Sequence, residues 1–589
     1  MRAEVNERGG GMAAPLPQSS AGGIGRANCA IHYIPEAYEG DKHLVVGRQS
    51  AGAGFLDALI AHGGLDKLYC LTDAPATFET FRQRITQNGA APEPHWLLPF
   101  EGDALQQAGC VFTPGPVISE LAWMRRYVGE RRYSLCGITH SVATELVIRS
   151  IRDFMVSPTQ PWDALICTSV SARDAIGHIF ETWGEYLGSR GFTVGKTPVR
   201  FPIIPLGVHL ERFARTEQAV ATGRALRERM GLGPDDILVL SFGRLDHRSK
   251  AHPVPLFRAI ETASRKVRNG QLHLAMVGQF NDPMNQHEFR AARRIFCPSV
   301  PVHWIDGADT EMARAMWPAA DMFISLPDNV QESFGLTPVE AMAASLPCIV
   351  SDWNGYKETV VDGENGMRIP TVMAPAGAGV ELADEHARMS FDHFTLISYT
   401  AQCTAIDIDA CADAIVRLAR DPELRRSMGA AGRKRAETEY DWRRIIQSYQ
   451  ELWSELADIR RSAEVVGGRD PTRQTVHPDY PDLFAMFAGH PSMAAGPELT
   501  VTLADPDPQH ALQQIRGLSM NTLARPILLE DREIDAIVSR LADGPYPVSA
   551  LLADFPGHAS TRVMRSLTWL CKFGIVSLRS RIGGKEFPV

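Results

Sequence analysis

Two glutamates frame the stretch Glu332-Ser-Phe-Gly-Leu-Thr-Pro-Val-Glu340, and the residue types between them are those that build an anion site. Phe334-Gly335 makes a flexible turn, and Thr337-Pro338 spells an N-cap with proline at the first helical position. The free N–H groups and positive dipole end of a helix starting there suit a diphosphate, and Gly335 lets the backbone approach a ligand without a side chain intervening. Glu332, before the helix, can accept hydrogen bonds from sugar hydroxyls, and Glu340, one turn inside it, can bind a ribose diol. Plainer uses stay open: Thr337-x-x-Glu340 also spells a capping box, and Glu332 also reads as a solvated loop carboxylate.

Two further segments have the residue types for ligand contact. Val46-Gly-Arg-Gln-Ser-Ala-Gly-Ala-Gly54 reads as a strand-to-helix turn before the apolar helix Phe55 to Ala61, with Gly52 and Gly54 open to a substrate. Its spacing is not G-x-G-x-x-G and no ribose-binding acid follows, so it does not read as a dinucleotide-binding fingerprint. His140 closes the strand-like run Cys136-Gly-Ile-Thr139, where an α/β sheet places its reactive groups; a structural histidine is the alternative.

The elements that must position these residues are short apolar runs separated by helical patterns. In the first half they are Leu44 to Val46, Leu68 to Leu71, Cys110 to Phe112, Leu135 to Ile138 and Leu165 to Thr168, with helices over Ile118 to Tyr127 and Val142 to Met155. The second half repeats the rhythm at Ile237 to Ser241, Leu272 to Val277, Val302 to Ile305, Met322 to Ser325 and Cys348 to Ser351. Such alternation predicts parallel sheets covered by helices on both faces, with ligands beyond the carboxyl ends of the strands. The predicted organisation is a disordered tail over 1–28, α/β domains over 29–205 and 206–460 joined near Ile204 to Phe213, a linker over 461–525 and a helical module over 526–589. Met373 to Thr404 is long for a connection and reads as an insertion or mobile loop.

Composition limits the function classes. A chain of 589 residues is too long for one core, and its net charge of −9, spread along the sequence, does not suit a protein that wraps nucleic acid. Ten scattered cysteines without a C-x-x-C pair predict reduced thiols and a cytoplasmic protein, with Cys110, Cys167 and Cys348 as core residues. No apolar stretch reaches transmembrane length, so membrane contact is expected to be peripheral at most. Arg125, Arg126, Arg131 and Arg132 read either as a solvated face or as a patch for anionic lipid or a charged acceptor.

Glutamates spaced E-x7-E, with Phe-Gly after the first and Glu-Ala-Met-Ala at the second, resemble the retaining GT-B glycosyltransferases of family 4. Ile204-Pro-Leu-Gly-Val-His209 with Phe213 is similar to that family's interdomain element, and Ser241-Phe-Gly-Arg-Leu245 to its G-R-L strand end, so the resemblance runs from about Leu44 to Leu456. It implies two Rossmann-like domains facing a cleft, a nucleotide-sugar donor, and transfer to a glycan, lipid-linked saccharide, protein or metabolite without metal or cofactor. Arg244 after Gly243, together with Lys250, is implied to grip the donor diphosphate. One extra residue separates these two cations, which makes Arg248 a rival, and Leu206 and Ser345 also depart from the pattern. Gly52 and Gly54 are implied to face the donor, with Gly243, Phe334, Gly335, Leu336, Thr337 and Glu340 on the other side, and His140 to orient a hydroxyl of the transferred sugar. Retention without an enzyme nucleophile has the leaving diphosphate help deprotonate the acceptor.

Helical patterns at Asp531 to Leu541, Val548 to Phe555 and Thr561 to Phe573, followed by Ile575 to Arg579, resemble a small winged-helix-like module. Its mixed charge favours protein contact over DNA. The competing functions are a GT-B epimerase or phosphorylase, and a sugar-nucleotide sensor acting through this module.

Overall fold

The computed structural model describes residues 27–39, 47–87, 92–193, 195–468, 470, 475–555, 559–582 and 585–588. The strand expected at Leu44 to Val46, and the tail as far as residue 26, lie outside them. The chain divides into two compact units, 1–470 and 471–589.

The larger unit holds two parallel six-stranded sheets. The first comprises β1 (Ala30–His32), β2 (Lys67–Leu71), β3 (Glu93–Leu97), β4 (Cys110–Phe112), β5 (Ser134–Ile138) and β6 (Ala164–Ile166), in the order β3-β2-β1-β4-β5-β6. The second comprises β7 (Ile237–Phe242), β8 (Leu272–Gly278), β9 (Val302–Asp306), β10 (Met322–Ser325), β11 (Cys348–Ser351) and β12 (Gly366–Ile369), in the order β12-β11-β10-β7-β8-β9. Each order reverses beside the first strand of its sheet, which opens a crevice beyond the carboxyl ends there. The expected α/β architecture with two Rossmann-like domains is present.

Burial on both faces explains the continuous apolar runs. Along β8, Leu272, Leu274 and Met276 enter one core, while Ala275 and Val277 enter the other. Cys110, Cys167 and Cys348 are buried as expected. The sequence patterns miss β1, β3 and β12. β3, Glu-Pro-His-Trp-Leu, is an edge strand with one buried residue, so it lacks an apolar signature.

The chain crosses between the sheets twice, side by side. The Val208 amide donates to the Tyr440 carbonyl (2.7 Å) and the Trp442 amide to the Val208 carbonyl (3.4 Å). The helix Trp442–Ser462 then packs on the first sheet, with Tyr449 against Phe55 and Phe112 (ring centroids 4.9 and 5.7 Å). Its apolar face therefore stabilises the half of the unit remote from it in sequence.

Two expectations change here. Gly52 and Gly54 lie inside the helix Gly47–His62, not on a turn. A Cβ on Gly52 would come within 2.1 Å of the Ala37 carbonyl oxygen, and one on Gly54 within 3.1 Å of the Trp442 ring, so both serve close packing. Of the four arginines, Arg125 and Arg126 are tied up within the fold, while Arg131 and Arg132 stay on the solvated face with partners close by. Arg125 is fully buried in a bidentate pair with Asp163 (2.6 and 2.7 Å), Arg126 pairs with Glu130, Arg132 with Asp103, and Arg131 donates to the carbonyls of Arg460 and Ala463.

The smaller unit contains an antiparallel sheet ordered β16-β15-β17-β18, formed by β15 (Thr500–Leu503), β16 (Tyr546–Pro547), β17 (Val576–Ile582) and β18 (Lys585–Pro588). With the helices Pro508–Gly517, Asp531–Leu541, Val548–Asp554 and Ala559–Lys572 it encloses its own core. β15 and the first of these helices fall in the stretch expected to be linker, where flanking Pro and Asp mask a four-residue strand. Among the described residues no helix is long and apolar enough to cross a membrane.

Candidate functional site

Three loops leave the carboxyl ends of adjacent strands of the second sheet and meet. After β7 the backbone turns at Gly243, whose φ of +142° disfavours any side chain. The following loop is organised on buried Asp246, absent from the sequence expectations. Its carboxylate accepts from the Ser249 hydroxyl (2.5 Å), the Arg248 amide (3.0 Å) and the Asn281 amide group. Ser249 also accepts from Arg244 (3.3 Å), so one carboxylate sets both ends of the cationic loop.

After β10 the loop is organised on Asn329, fully buried and likewise missed. Its side chain donates to the Arg248 carbonyl (2.7 Å) and accepts from the Gln331 amide (2.9 Å), and its carbonyl accepts from Glu332 (3.2 Å) and from Trp353 Nε1 (3.0 Å). Asn329 thereby locks the loop carrying Lys250 to the one carrying Glu332. The result is a direct ion pair between Lys250 Nζ and Glu332 Oε2, both largely buried. Burial pulls the Lys250 ammonium down, but the Glu332 carboxylate outweighs it and the lysine is held above its ordinary range.

Arg248, the rival cation, is half-exposed and points to Asp282 (3.6 Å). The extra residue between Arg244 and Lys250 is absorbed in the turn around Asp246. Among the described residues Arg244 has no carboxylate within ion-pair distance, which leaves guanidinium N–H groups free for an anion.

The helix after Glu332 runs Leu336–Ala343 and is capped by Gly335 at φ +90°, not by Thr337. A Cβ on Gly335 would sit 1.8 Å from the Tyr356 ring, whose hydroxyl lies 3.0 Å from Ser325 Oγ. The start therefore falls two residues earlier than the Thr-Pro signal indicates. Pro338 sits in the first turn, where its missing N–H leaves no bond unmade, and the amides of Leu336 and Thr337 head the helix. No side chain caps it, so the Thr337–Glu340 capping box does not form.

Glu340 is consequently free of a capping role. Burial pushes its carboxyl up to about 7, with Lys250 and Arg212 opposing. A carboxyl raised in the folded state is protonated there before it is in the unfolded chain, so its contribution to stability is lost as pH climbs from its ordinary value of 4.5 to about 7. Glu340→Gln is expected to raise the melting temperature at pH 8, by on the order of 1 kcal/mol of stability, and to leave it unchanged at pH 4. Calorimetric melts of both proteins at the two pH values check this; an equal shift at both would mean that burial of the charge is not the cause. Asp328, buried beside this site, is pushed up to about 7 by burial and accepts from the His252 amide (3.2 Å).

The first sheet contributes the facing wall. Thr139 Oγ1 accepts from the Thr168 amide (3.4 Å), and next to Thr168 the Ser169 hydroxyl donates to the Ser333 carbonyl (2.7 Å), inside the Glu332 loop. The Val170 amide donates to Glu358 (2.7 Å). His140 follows Thr139 at this edge, and burial, then the Arg48 charge, lower its imidazole to about 4, so it is neutral near pH 7. The structure thus gathers Arg244, Lys250, Glu332, Glu340 and the Gly335 helix start, and sets His140 on the first sheet, whose Ser169 and Val170 meet Ser333 and Glu358. It does not bring Gly52 or Gly54 to the site.

Two parallel sheets meeting at their carboxyl ends, with an anion-ready loop pair on the second, define a GT-B protein. Residues 224–377 match the family described as Glycosyl transferases group 1. D-inositol 3-phosphate glycosyltransferase 2 of Catenulispora acidiphila is 32% identical over 196 residues, covering 32% of this chain and 43% of that protein. Alpha-maltose-1-phosphate synthase of Mycolicibacterium smegmatis is 26% identical over 157 residues, covering 26% and 33%. The GDP-mannose-dependent alpha-(1-6)-phosphatidylinositol monomannoside mannosyltransferase of the same organism is 26% identical over 268 residues, covering 44% and 57%. The chain thus spans between a third and somewhat over half the length of these relatives.

Proposed function

We propose that this protein transfers a hexose from a nucleotide-sugar donor to an acceptor hydroxyl with retention of anomeric configuration. The observation that carries the reading is the Lys250–Glu332 pair, set between Arg244 and a helix start that no side chain caps. Arriving diphosphate oxygens take Lys250 away from Glu332, joining Arg244 and the amides of Leu336 and Thr337 as its donors. The carboxylate thus released accepts hydrogen bonds from the sugar, so donor binding itself prepares Glu332.

Glu340 holds the ribose diol, and neutral His140 orients a sugar hydroxyl from the facing wall. A cavity of about 480 Å³ beyond the ends of β8 and β9, lined by Phe280, Asn281, Arg290 and Trp304, takes the base. In the transfer step the bond between the anomeric carbon and the diphosphate oxygen breaks, the acceptor oxygen bonds to that carbon on the same face, and its proton passes to the departing diphosphate. Arg244 and Lys250 neutralise the charge that develops there, with no metal required. The reaction belongs in the cytoplasm, which suits unpaired cysteines, and the acceptor belongs to the hydroxyl-bearing glycans, lipid-linked saccharides, proteins or metabolites.

A thermal-shift screen of UDP-, GDP- and ADP-sugars tests the reading. A donor present at about 100 times its Kd raises stability by about 2.7 kcal/mol, which a melt resolves easily. Flat melts across all three series would overturn it.

A further inference from the structure

The segment between β12 and the helix Ile408–Arg420 is the one expected to be an insertion or mobile loop, yet it is folded. β13 (Thr371–Met373) pairs antiparallel with β14 (Thr404–Ile406), and between them lie the helices Val380–Ala387 and His393–Gln402. The base is fixed to the sheet. The Thr371 hydroxyl donates to the Asp352 carbonyl (2.9 Å), the Asp407 amide to the Pro370 carbonyl (3.0 Å), and Ile397 and Ala401 are buried.

From this base the insertion reaches both loops of the candidate site. His393 Nε2 lies 3.2 Å from Gln331 Nε2, and Gln331 is the residue immediately before Glu332. An amide nitrogen can only donate, so the ring nitrogen facing it is the acceptor and His393 is neutral. Its surroundings agree: burial, then the neighbouring His386, lower its pKa. The residue before it, Asp392, caps the helix by accepting from the Thr395 amide (2.8 Å) and feels the charge of Arg248 on the other loop. A single helix start thus meets the loop of Glu332 and lies within reach of the Arg248 charge.

Among the described residues the other hydrogen bond of Gln331 is from its backbone amide, to Asn329, so its side chain takes its place from the insertion. Asn329 fixes the root of the loop, and His393 fixes the residue adjoining the carboxylate.

We propose that the insertion 371–407 braces the Glu332 loop, with His393 acting through Gln331 as a positioning residue that sets the grip on the donor's sugar and not on its diphosphate. The proposal rests on the transferase reading above. Glu332 faces the sugar in that reading, whereas Arg244, Lys250 and the helix start face the phosphates, so the two halves of the donor respond differently to loss of the brace.

The test compares the affinities of wild type, His393→Ala and His393→Gln for UDP, GDP, UDP-glucose and GDP-mannose by calorimetry. In His393→Ala the nucleotide sugar that binds wild type is expected to bind about three- to tenfold more weakly, the loss of one neutral hydrogen bond, while the matching diphosphate binds unchanged. His393→Gln, which keeps an acceptor oxygen, is expected to recover part of the loss. Equal weakening of diphosphate and nucleotide sugar, or no weakening of either, overturns the brace while leaving the transferase reading standing. A wild type that binds none of the four, nor ADP or ADP-glucose, overturns that reading, and the brace with it.

Discussion

Glu332→Gln is expected to lower transfer by about 10²- to 10³-fold while the protein still binds the nucleoside diphosphate, and binds it at least as well as wild type does. The asymmetry follows from the ion pair. In the empty site Lys250 is already occupied by Glu332, and the two charges are shielded from solvent together. An incoming diphosphate must separate them, so part of its attraction to Lys250 is spent on breaking an existing bond. An uncharged amide at position 332 leaves the lysine available, and only the sugar loses its carboxylate.

The same substitution strands a mostly buried ammonium, and breaking such a pair from one side is destabilising because the remaining charge has no partner. The empty Glu332→Gln protein is therefore expected to melt below wild type and to show a larger upward shift with the diphosphate. Steady-state transfer rates together with melts with and without UDP or GDP decide the matter. Full transfer activity in the variant would remove Glu332 from the chemistry. Lost activity with equally lost diphosphate binding would point to collapse of the loop instead.

The parts of the fold legible in the sequence are those where burial acts on both faces of a strand. β7, β8, β10 and β11 are short, almost wholly apolar runs because both faces of the sheet are covered, and their positions follow from hydrophobicity alone. β3 escapes it because this edge strand, Glu-Pro-His-Trp-Leu, buries a single residue, and β1 and β12 because three or four residues are too short a run to stand out. The start of the site helix departs from its local signal for a different reason. Thr337-Pro338 is a sound local cap signal, but Tyr356, beyond the next strand, packs its ring against Gly335 and selects the αL cap there. A contact across twenty-one residues of sequence overrides a local preference.

The candidate site divides along the same line. Glu332, Glu340, Arg244 and Lys250 have residue types that announce their chemistry, and one strand-loop architecture brings them together. Asp246, Asn329 and Tyr356 have no chemistry that distinguishes them in sequence. Their importance lies in which loops they join, and it exists only once β7, β10 and β11 are side by side. Gly52 and Gly54 lie in a helix and not on the expected turn for the converse reason: a glycine-rich run signals close backbone approach without saying to what, and here the partners are the Ala37 carbonyl and the Trp442 ring.

Lys250→Met gives the complementary result. Methionine keeps the length and apolar stem of lysine, so the loop organised on Asp246 is expected to fold, but the diphosphate loses a charge-assisted donor in a partly buried place. Hydrogen bonds to charged groups in such places are worth about 1.5–3 kcal/mol, so diphosphate affinity is expected to fall by about 10- to 150-fold. Turnover is expected to fall further, because the charge on the departing diphosphate exceeds that in the bound donor and Lys250 opposes it most when the bond is breaking. Arg248→Ala serves as the internal control. Its side chain is half-exposed and directed at Asp282, so it is expected to change diphosphate binding little. If Arg248→Ala instead abolished binding while Lys250→Met preserved it, the phosphate role would move to Arg248, and the Lys250–Glu332 pair would be a structural tie between two loops. Calorimetric titration of both variants with UDP and GDP separates these outcomes, since a tie between loops would register in the melting temperature of the empty protein and not in the affinity for a diphosphate.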